Sequence, residues 1–344
     1  MNKFMKAAVL IRQGEIVLKE MPVPVPGEGE ILVRIRAATT CGTDLKIFSR
    51  GHPKFPPPLV LGHEFGGDIV QLGPGVVGLS KGMRVTANVF GECGECFYCR
   101  RDQGNLCERL VYNFGAFSEY NLIPASIVKN NLFPIPDEIA YAEAAVLEPL
   151  VCVVHAFNKI NPKPPERVAV IGAGGAISLL FIQMLVQAGV DEIIAIGHSD
   201  FRLQKASQLG ARVSVNAKKQ DHQQIINDLT GGRGVDVVIE CAGTRAAWEE
   251  AVDITRPGGR VLWFGGLPGG TKVALDAGKV HYGGINLYNS HGGTAADARQ
   301  ASALIFSGAV SSRSLITEEL PLAEIKQAFQ KMRAGEAVKV AIMP

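Results

Sequence analysis

The chain has 344 residues, with 35 Lys and Arg against 33 Asp and Glu and a net charge of +2. At roughly 100–200 residues per domain this length predicts two domains, and the near-neutral charge supplies no field for nucleic acid or a membrane surface. The start, Met1-Asn2-Lys3-Phe4-Met5-Lys6-Ala7, lacks a signal-peptide pattern and no apolar stretch reaches the ~20 residues of a membrane span, so the chain reads as soluble and cytoplasmic.

Residues 1 to 150 are rich in Gly and Pro and carry short β-branched runs. Residues 7–10, 15–18, 31–37 and 69–71 read as strands bounded by turn residues, and Pro22, Pro24 and Pro26 interrupt any element between the second and third. This half reads as all-β, with helix signals beginning only near Ala140. After Asn161-Pro162-Lys163-Pro164-Pro165 the pattern changes. Strands at 168–171, 193–196, 235–240 and 260–264 alternate with helices at 179–187 and 202–209, which predicts a parallel sheet with right-handed crossovers. Two further helices are expected at 298–306 and 322–332, and a last strand at 337–342.

Cys93, Cys96, Cys99 and Cys107 place four of the seven cysteines within one short segment. Four thiolates at tight spacing suit a closed tetrahedral zinc shell that leaves no position for substrate, hence a structural site. Two disulfides are the alternative, disfavoured in a large chain with no secretory features. A zinc ribbon for nucleic acid is opposed by the neutral charge.

Val168-Ala-Val-Ile-Gly172-Ala-Gly174-Gly175-Ala-Ile-Ser178 joins a strand to a helix. Glycines there permit a tight turn and close approach of a pyrophosphate to the helix N-terminus. Ile177 stands where the third glycine is usual, and small Ser178 takes the close-packing role in a turn one residue longer. The next strand ends at Gly197, where an NAD site usually has an acid for the ribose 2′-hydroxyl. The loss of that acid favours NADP over NAD, with His198, Ser199 and Arg202 as candidate donors to a 2′-phosphate. An acid restored at 197 is expected to favour NAD. Asp200 is the competing candidate for the ribose.

Cys41, His63, Glu64 and Glu148 offer thiolate, imidazole and carboxylate, a combination suited to a catalytic zinc. With these residues in view the chain resembles the zinc-dependent medium-chain alcohol dehydrogenases, most of all the polyol (sorbitol) and threonine dehydrogenase branches. The resemblance rests on Cys-Gly-Thr-Asp at 41–44, Gly-His-Glu at 62–64, the cysteine lobe, Phe117-Ser-Glu-Tyr120, Glu148-Pro-Leu150 with His155, and the glycine turn.

It implies an α/β two-domain protein: a GroES-like β catalytic domain from residues 1–153 and 290–344, and a Rossmann doubly wound cofactor domain from 154–289. It implies two zincs per subunit. Cys41 and His63 are then ligands of the catalytic one, Glu64 a ligand or exchangeable neighbour, and Glu148 a ligand either directly or through water. Thr43 would pass the substrate proton outward, while Lys46 replaces the His that ends the relay in many relatives. Ala242, Gly243 and Gly265 would join the glycine turn in holding the nucleotide. Phe48, His52, Phe55, Phe114 and Leu267 are the expected pocket. The implied partners are a small alcohol, polyol or ketone and copies of the chain, in a homodimer or homotetramer, with neither nucleic acid nor membrane. A non-catalytic NADPH-binding member of the superfamily is the rival reading.

Overall fold

A computed structural model describes residues 3–344. The chain forms two compact units, one comprising residues up to Val151 together with Gly293–Pro344, the other Cys152–Gly292.

The first unit is built round strand Ile31–Thr39. In its middle Ile35 faces the core while Arg34 and Arg36 face solvent, the period-two pattern of a half-buried strand. It pairs antiparallel with Glu64–Leu72, Tyr120–Ile123 and the C-terminal strand Lys339–Met343. Thr39 is thereby the register partner of both Glu64 and Ala341, so the last strand reaches the start of the Glu64 strand across one neighbour. Leu10, Ile16, Phe65, Phe117, Phe329 and Ile342 share the core beneath.

This half is not all-β. Helix Gly42–Arg50 follows the central strand directly, and Tyr141–Ala145 and Leu147–Ile160 follow later. The first of these escaped the sequence reading because it lies among Gly- and Pro-rich strands and turns. Its signal is a cap rather than a period: Cys41 is extended and its sulfur accepts the Thr43 N–H, with Asp44 in the first turn.

The second unit is a parallel sheet. Among the described residues its six strands run, side by side, Val213–Asn216, Glu192–Gly197, Arg167–Ile171, Val235–Glu240, Thr255–Trp263 and Asn286–Asn289. In chain order that is 3-2-1-4-5-6, the doubly wound arrangement, with its switch point between Arg167–Ile171 and Val235–Glu240. The outer strands Val213–Asn216 and Asn286–Asn289 were absent from the sequence reading. Each is four residues long with polar positions, because an edge strand needs less apolar surface. Among the described residues no helix is long and apolar enough to cross a membrane.

Candidate metal centres and nucleotide seat

In the cysteine lobe, strands Phe90–Gly91 and Val111–Tyr112 pair antiparallel at its neck. Tight turns at Cys99–Arg101 and Gly104–Leu106 then bring the four sulfurs within 4.8 Å of one another. Separations are 3.5 Å for Cys96–Cys99 and 3.9 Å for Cys93–Cys99 and Cys96–Cys107, and no disulfide forms. A Zn–S bond of ~2.3 Å in a tetrahedron gives a sulfur–sulfur edge of ~3.8 Å, so the lobe has the dimensions of a zinc site. The Glu95 backbone N–H, chief among several donors, holds the Cys93 thiol down to about 6, whereas burial pushes Cys99 up to about 12. A cation at the centre would hold all four sulfurs as thiolates.

The second centre lies within the first unit. Cys41 caps its helix and His63 and Glu64 open the strand Glu64–Leu72, with donor atoms of all three within 4.8 Å. Gly62 makes this turn possible. Its φ is +85°, and a Cβ there would meet the Phe117 nitrogen at 2.7 Å. Asp44, fully buried, accepts the Gly62 N–H at 3.0 Å and lies 3.2 Å from His63 Nδ1. That contact fixes the ring and leaves Nε2 as the donor toward a metal. Glu148, on helix Leu147–Ile160, stands 3.9 Å from His63 Nε2 and lies outside the compact group of three.

Glu64 is held by residues that the sequence reading missed. Lys339, 1% exposed, donates to Glu64 Oε2 and to the Thr40 carbonyl at 3.1 Å, and the Thr39 hydroxyl also donates to Oε2. Glu64 Oε1 is buried without a hydrogen-bond partner. One oxygen is clamped and the other is open to a ligand position. Asp44 had a legible signal, an acid in a capped first turn. Lys339 had none, since it is 275 residues from Glu64.

The electrostatics also ask for a cation. Burial, with Glu64 adding to it, pushes the Glu148 carboxyl up to about 7 against the opposing His63 charge. Burial disfavours a charged His63, yet Asp44 and Cys41 together raise it well above its ordinary value. The buried carboxylates of Asp44, Glu64 and Glu148 face a single buried ammonium, Lys339, once His63 is neutral as a metal ligand must be, and a divalent ion bound by thiolate, imidazole and carboxylate supplies the missing positive charge.

Around this centre, Phe114 packs edge-on to His63 at 5.1 Å, Phe55 lies 4.7 Å from Phe114, and His52 stacks on Phe55 at 4.9 Å. Tyr112 joins Phe55 at 5.4 Å, an unforeseen member of this aromatic wall. Phe48 departs from the expected pocket: it packs on Phe329, 5.3 Å away, in the core. Thr43 and Lys46 are both exposed on the first turns of helix Gly42–Arg50. Leu267 lies in the second unit.

In that unit the glycine turn leads into helix Ala176–Gln187, whose N-cap Gly175 makes no side-chain capping bond. The first N–H groups of the helix are therefore available to an anion. Gly172 has φ +78°, and a Cβ there would come 2.7 Å from the Ala242 nitrogen. Ser178 closes the turn through hydrogen bonds: its hydroxyl accepts the Gly174 N–H and donates to the Gly175 carbonyl, each at 2.9 Å. Glu240, at the end of its strand, ties the neighbouring turns together, accepting the Gly243 N–H on Oε1 at 2.7 Å and the Gly265 N–H on its carbonyl at 3.1 Å.

Helix Asp200–Gln208 follows Gly197 with Ser199 as its N-cap, and Ser199 makes no capping bond. His198 is exposed and Arg202 half-buried, its Cβ packed where a Cβ on Gly174 would fall. Gly197 is more than a deleted acid. A Cβ there would lie 2.6 Å from the Ala173 carbonyl oxygen, so an Asp at 197 must first displace the glycine turn.

A metal centre in one unit and a dinucleotide-type sheet in the other define a metal- and nucleotide-dependent oxidoreductase. Residues 27–137 match the alcohol dehydrogenase GroES-like domain and residues 176–307 the zinc-binding dehydrogenase domain. The chain is 31% identical to sorbitol dehydrogenase of Halalkalibacterium halodurans over 99% of both chains, and 32% identical to L-threonine 3-dehydrogenase of Bacillus velezensis over 95% of both. A crystal structure of a Sinorhizobium meliloti protein bound to NADP superposes with a TM-score of 0.91 at 30% identity, covering 100% of both chains. The 2R,3R-butanediol dehydrogenase of Bacillus subtilis gives 0.87 at 26% identity, covering 99% of both. The chain belongs to the zinc-binding dehydrogenases of the medium-chain alcohol dehydrogenase superfamily, in its polyol and threonine dehydrogenase branch.

Proposed function

We propose that this chain is a zinc-dependent, NADP-preferring dehydrogenase that interconverts a secondary alcohol or polyol and its ketone. The observation that carries this reading is the convergence of Cys41, His63 and Glu64 donor atoms within 4.8 Å, with Glu148 beside His63. Zinc at this position supplies Lewis acidity to an alcohol or carbonyl oxygen. The protein's part is positioning. Asp44 orients His63, and Lys339 with Thr39 hold Glu64 by Oε2 and leave Oε1 without a hydrogen-bond partner. Thr43, exposed at the start of its helix, carries the hydroxyl that takes up the substrate proton. The His63, Phe114, Phe55 and His52 wall offers an apolar flank to the substrate carbons. The intact donor set argues against a non-catalytic member.

Gly197, the uncommitted Ser199 hydroxyl and Arg202 support a 2′-phosphate site. A charge-assisted hydrogen bond contributes roughly 1.5–3 kcal/mol, which corresponds to a preference for NADP(H) of at least about tenfold. The threonine dehydrogenase relatives favour a second reading, an amino alcohol as substrate. Steady-state rates on polyols, secondary alcohols, amino alcohols and matching ketones, each with both cofactors, test all of this. Exclusive turnover of amino alcohols would replace the polyol reading. Sedimentation analysis tests the homodimer or homotetramer.

Two variants address the metals. Cys96→Ser should lower zinc from two to one per chain and destabilise the fold, since structural zinc contributes folding energy directly. Unchanged zinc stoichiometry would remove the lobe assignment. Glu148→Gln should retain measurable turnover if the carboxylate acts through water, as its place outside the compact group suggests. Total loss of activity together with loss of one zinc would make it a direct ligand.

A further inference from the structure

Asp200 is the one carboxylate that opens the helix after Gly197, and an acid near this point should oppose NADP. The structure ties it down on both oxygens. Oδ2 accepts from Lys219 Nζ at 2.6 Å and Oδ1 from Asn216 Nδ2 at 2.6 Å. Asn216 is a built anchor: it is 6% exposed, ends strand Val213–Asn216, and is the register partner of Gly197. Its own Oδ1 accepts the Lys218 N–H at 3.1 Å, its N–H donates to Gln220 Oε1 at 3.0 Å, and the Ala217 N–H reaches the Gly197 carbonyl at 2.9 Å. The turn after the third strand thus grips the turn after the second. Lys219 first, then Asn216, hold the Asp200 carboxyl below its ordinary value.

We propose that Lys219 and Asn216 form a latch that masks Asp200 and so sets the selectivity of this chain for a phosphorylated dinucleotide. The proposal rests on the NADP reading above. A free carboxylate at this strand end would accept a ribose 2′-hydroxyl and repel a 2′-phosphate. With each oxygen engaged by a donor from the turn after the third strand and its charge paired, Asp200 is less available to the hydroxyl and repels the phosphate less. The pair is two-thirds exposed, 65% for Asp200 and 64% for Lys219, and such pairs add little to stability. Its function can therefore be tested without unfolding the protein.

The test is a double-mutant cycle on the full chain, with NADPH and NADH dissociation constants read from nucleotide fluorescence and folding checked by thermal melting. Lys219→Ala leaves the Asp200 charge unpaired, with Asn216 alone on Oδ1, and should raise the NADPH constant about fivefold, the limit for a pair this exposed, while the NADH constant stays level or falls. Asp200→Asn should preserve the NADPH preference. The double variant should return to within about threefold of the parent NADPH constant, because the charge that Lys219 masks is gone. A double variant as weak as Lys219→Ala overturns the latch, since Lys219 would then act on the phosphate itself, and so does a Lys219→Ala variant with unchanged constants. A parent that prefers NADH overturns the NADP reading and the latch with it; a parent that prefers NADPH but fails the cycle loses the latch alone.

Discussion

Lys339→Met should destabilise the first unit by about 3–5 kcal/mol. The change removes the buried ammonium and leaves the Glu64 carboxylate, itself fully buried, with only the Thr39 hydroxyl on Oε2. Methionine nearly matches the volume of the lysine stem, so the loss comes from charge and not from a cavity. For a domain of this size ~2–4 °C per kcal/mol turns the loss into a fall in Tm of roughly 6–20 °C. Burial opposes the Lys339 charge, but Glu64 above all outweighs it and holds the group above its ordinary 10.5. Its contribution is therefore complete below the unfolded value and disappears only as pH rises through the still higher folded one. The deficit of the variant should be constant from neutral pH upward and shrink only in strong alkali. Adding Glu64→Gln should recover part of the lost stability, because a neutral amide needs no counter-ion. An unchanged Tm in Lys339→Met would show that the clamp has no energetic role.

His63→Ala should abolish turnover while nucleotide affinity stays within a few-fold of the parent. The imidazole belongs to the donor set of the first unit, and the glycine turn belongs to the second. The scale comes from its supporting residue. Loss of a carboxylate that orients a metal-bound His typically costs 10–100-fold in metal affinity or activity, so Asp44→Asn should fall by about that factor and His63→Ala by more. Measured kcat/KM, NADPH binding and zinc content separate the two. Near-normal rates in His63→Ala would exclude a metal mechanism at this centre.

The parallel sheet and two of its helices, Ala176–Gln187 and Asp200–Gln208, were legible because short buried strands alternate with longer apolar or breaker-free runs, whereas His222–Thr230, Arg245–Asp253 and Ala277–Tyr282 were not read. The four cysteines were legible because their spacing alone brings the sulfurs together. Cys41, His63 and Glu64 could be nominated by residue type and by their neighbours. Their convergence depends on the antiparallel pairing of Ile31–Thr39 with Glu64–Leu72. Helix Gly42–Arg50 was hidden among the Gly- and Pro-rich strands and turns of its half, and the edge strands Val213–Asn216 and Asn286–Asn289 by their polar residues.

By itself, then, the sequence determined the local chemistry: a four-thiolate lobe, a glycine turn without its partner acid, and donors suited to zinc. Only the tertiary structure decided which charges meet. Lys339 reaches Glu64 because the C-terminal strand pairs with the central strand of the first unit, and Asp200 is paired because the third strand of the sheet lies beside the second. Both depend on strand order, a long-range property. Side chains 275 and 19 residues apart in the chain leave no periodic trace of such a contact, because it is made by the sheet and not by the segment that carries either residue.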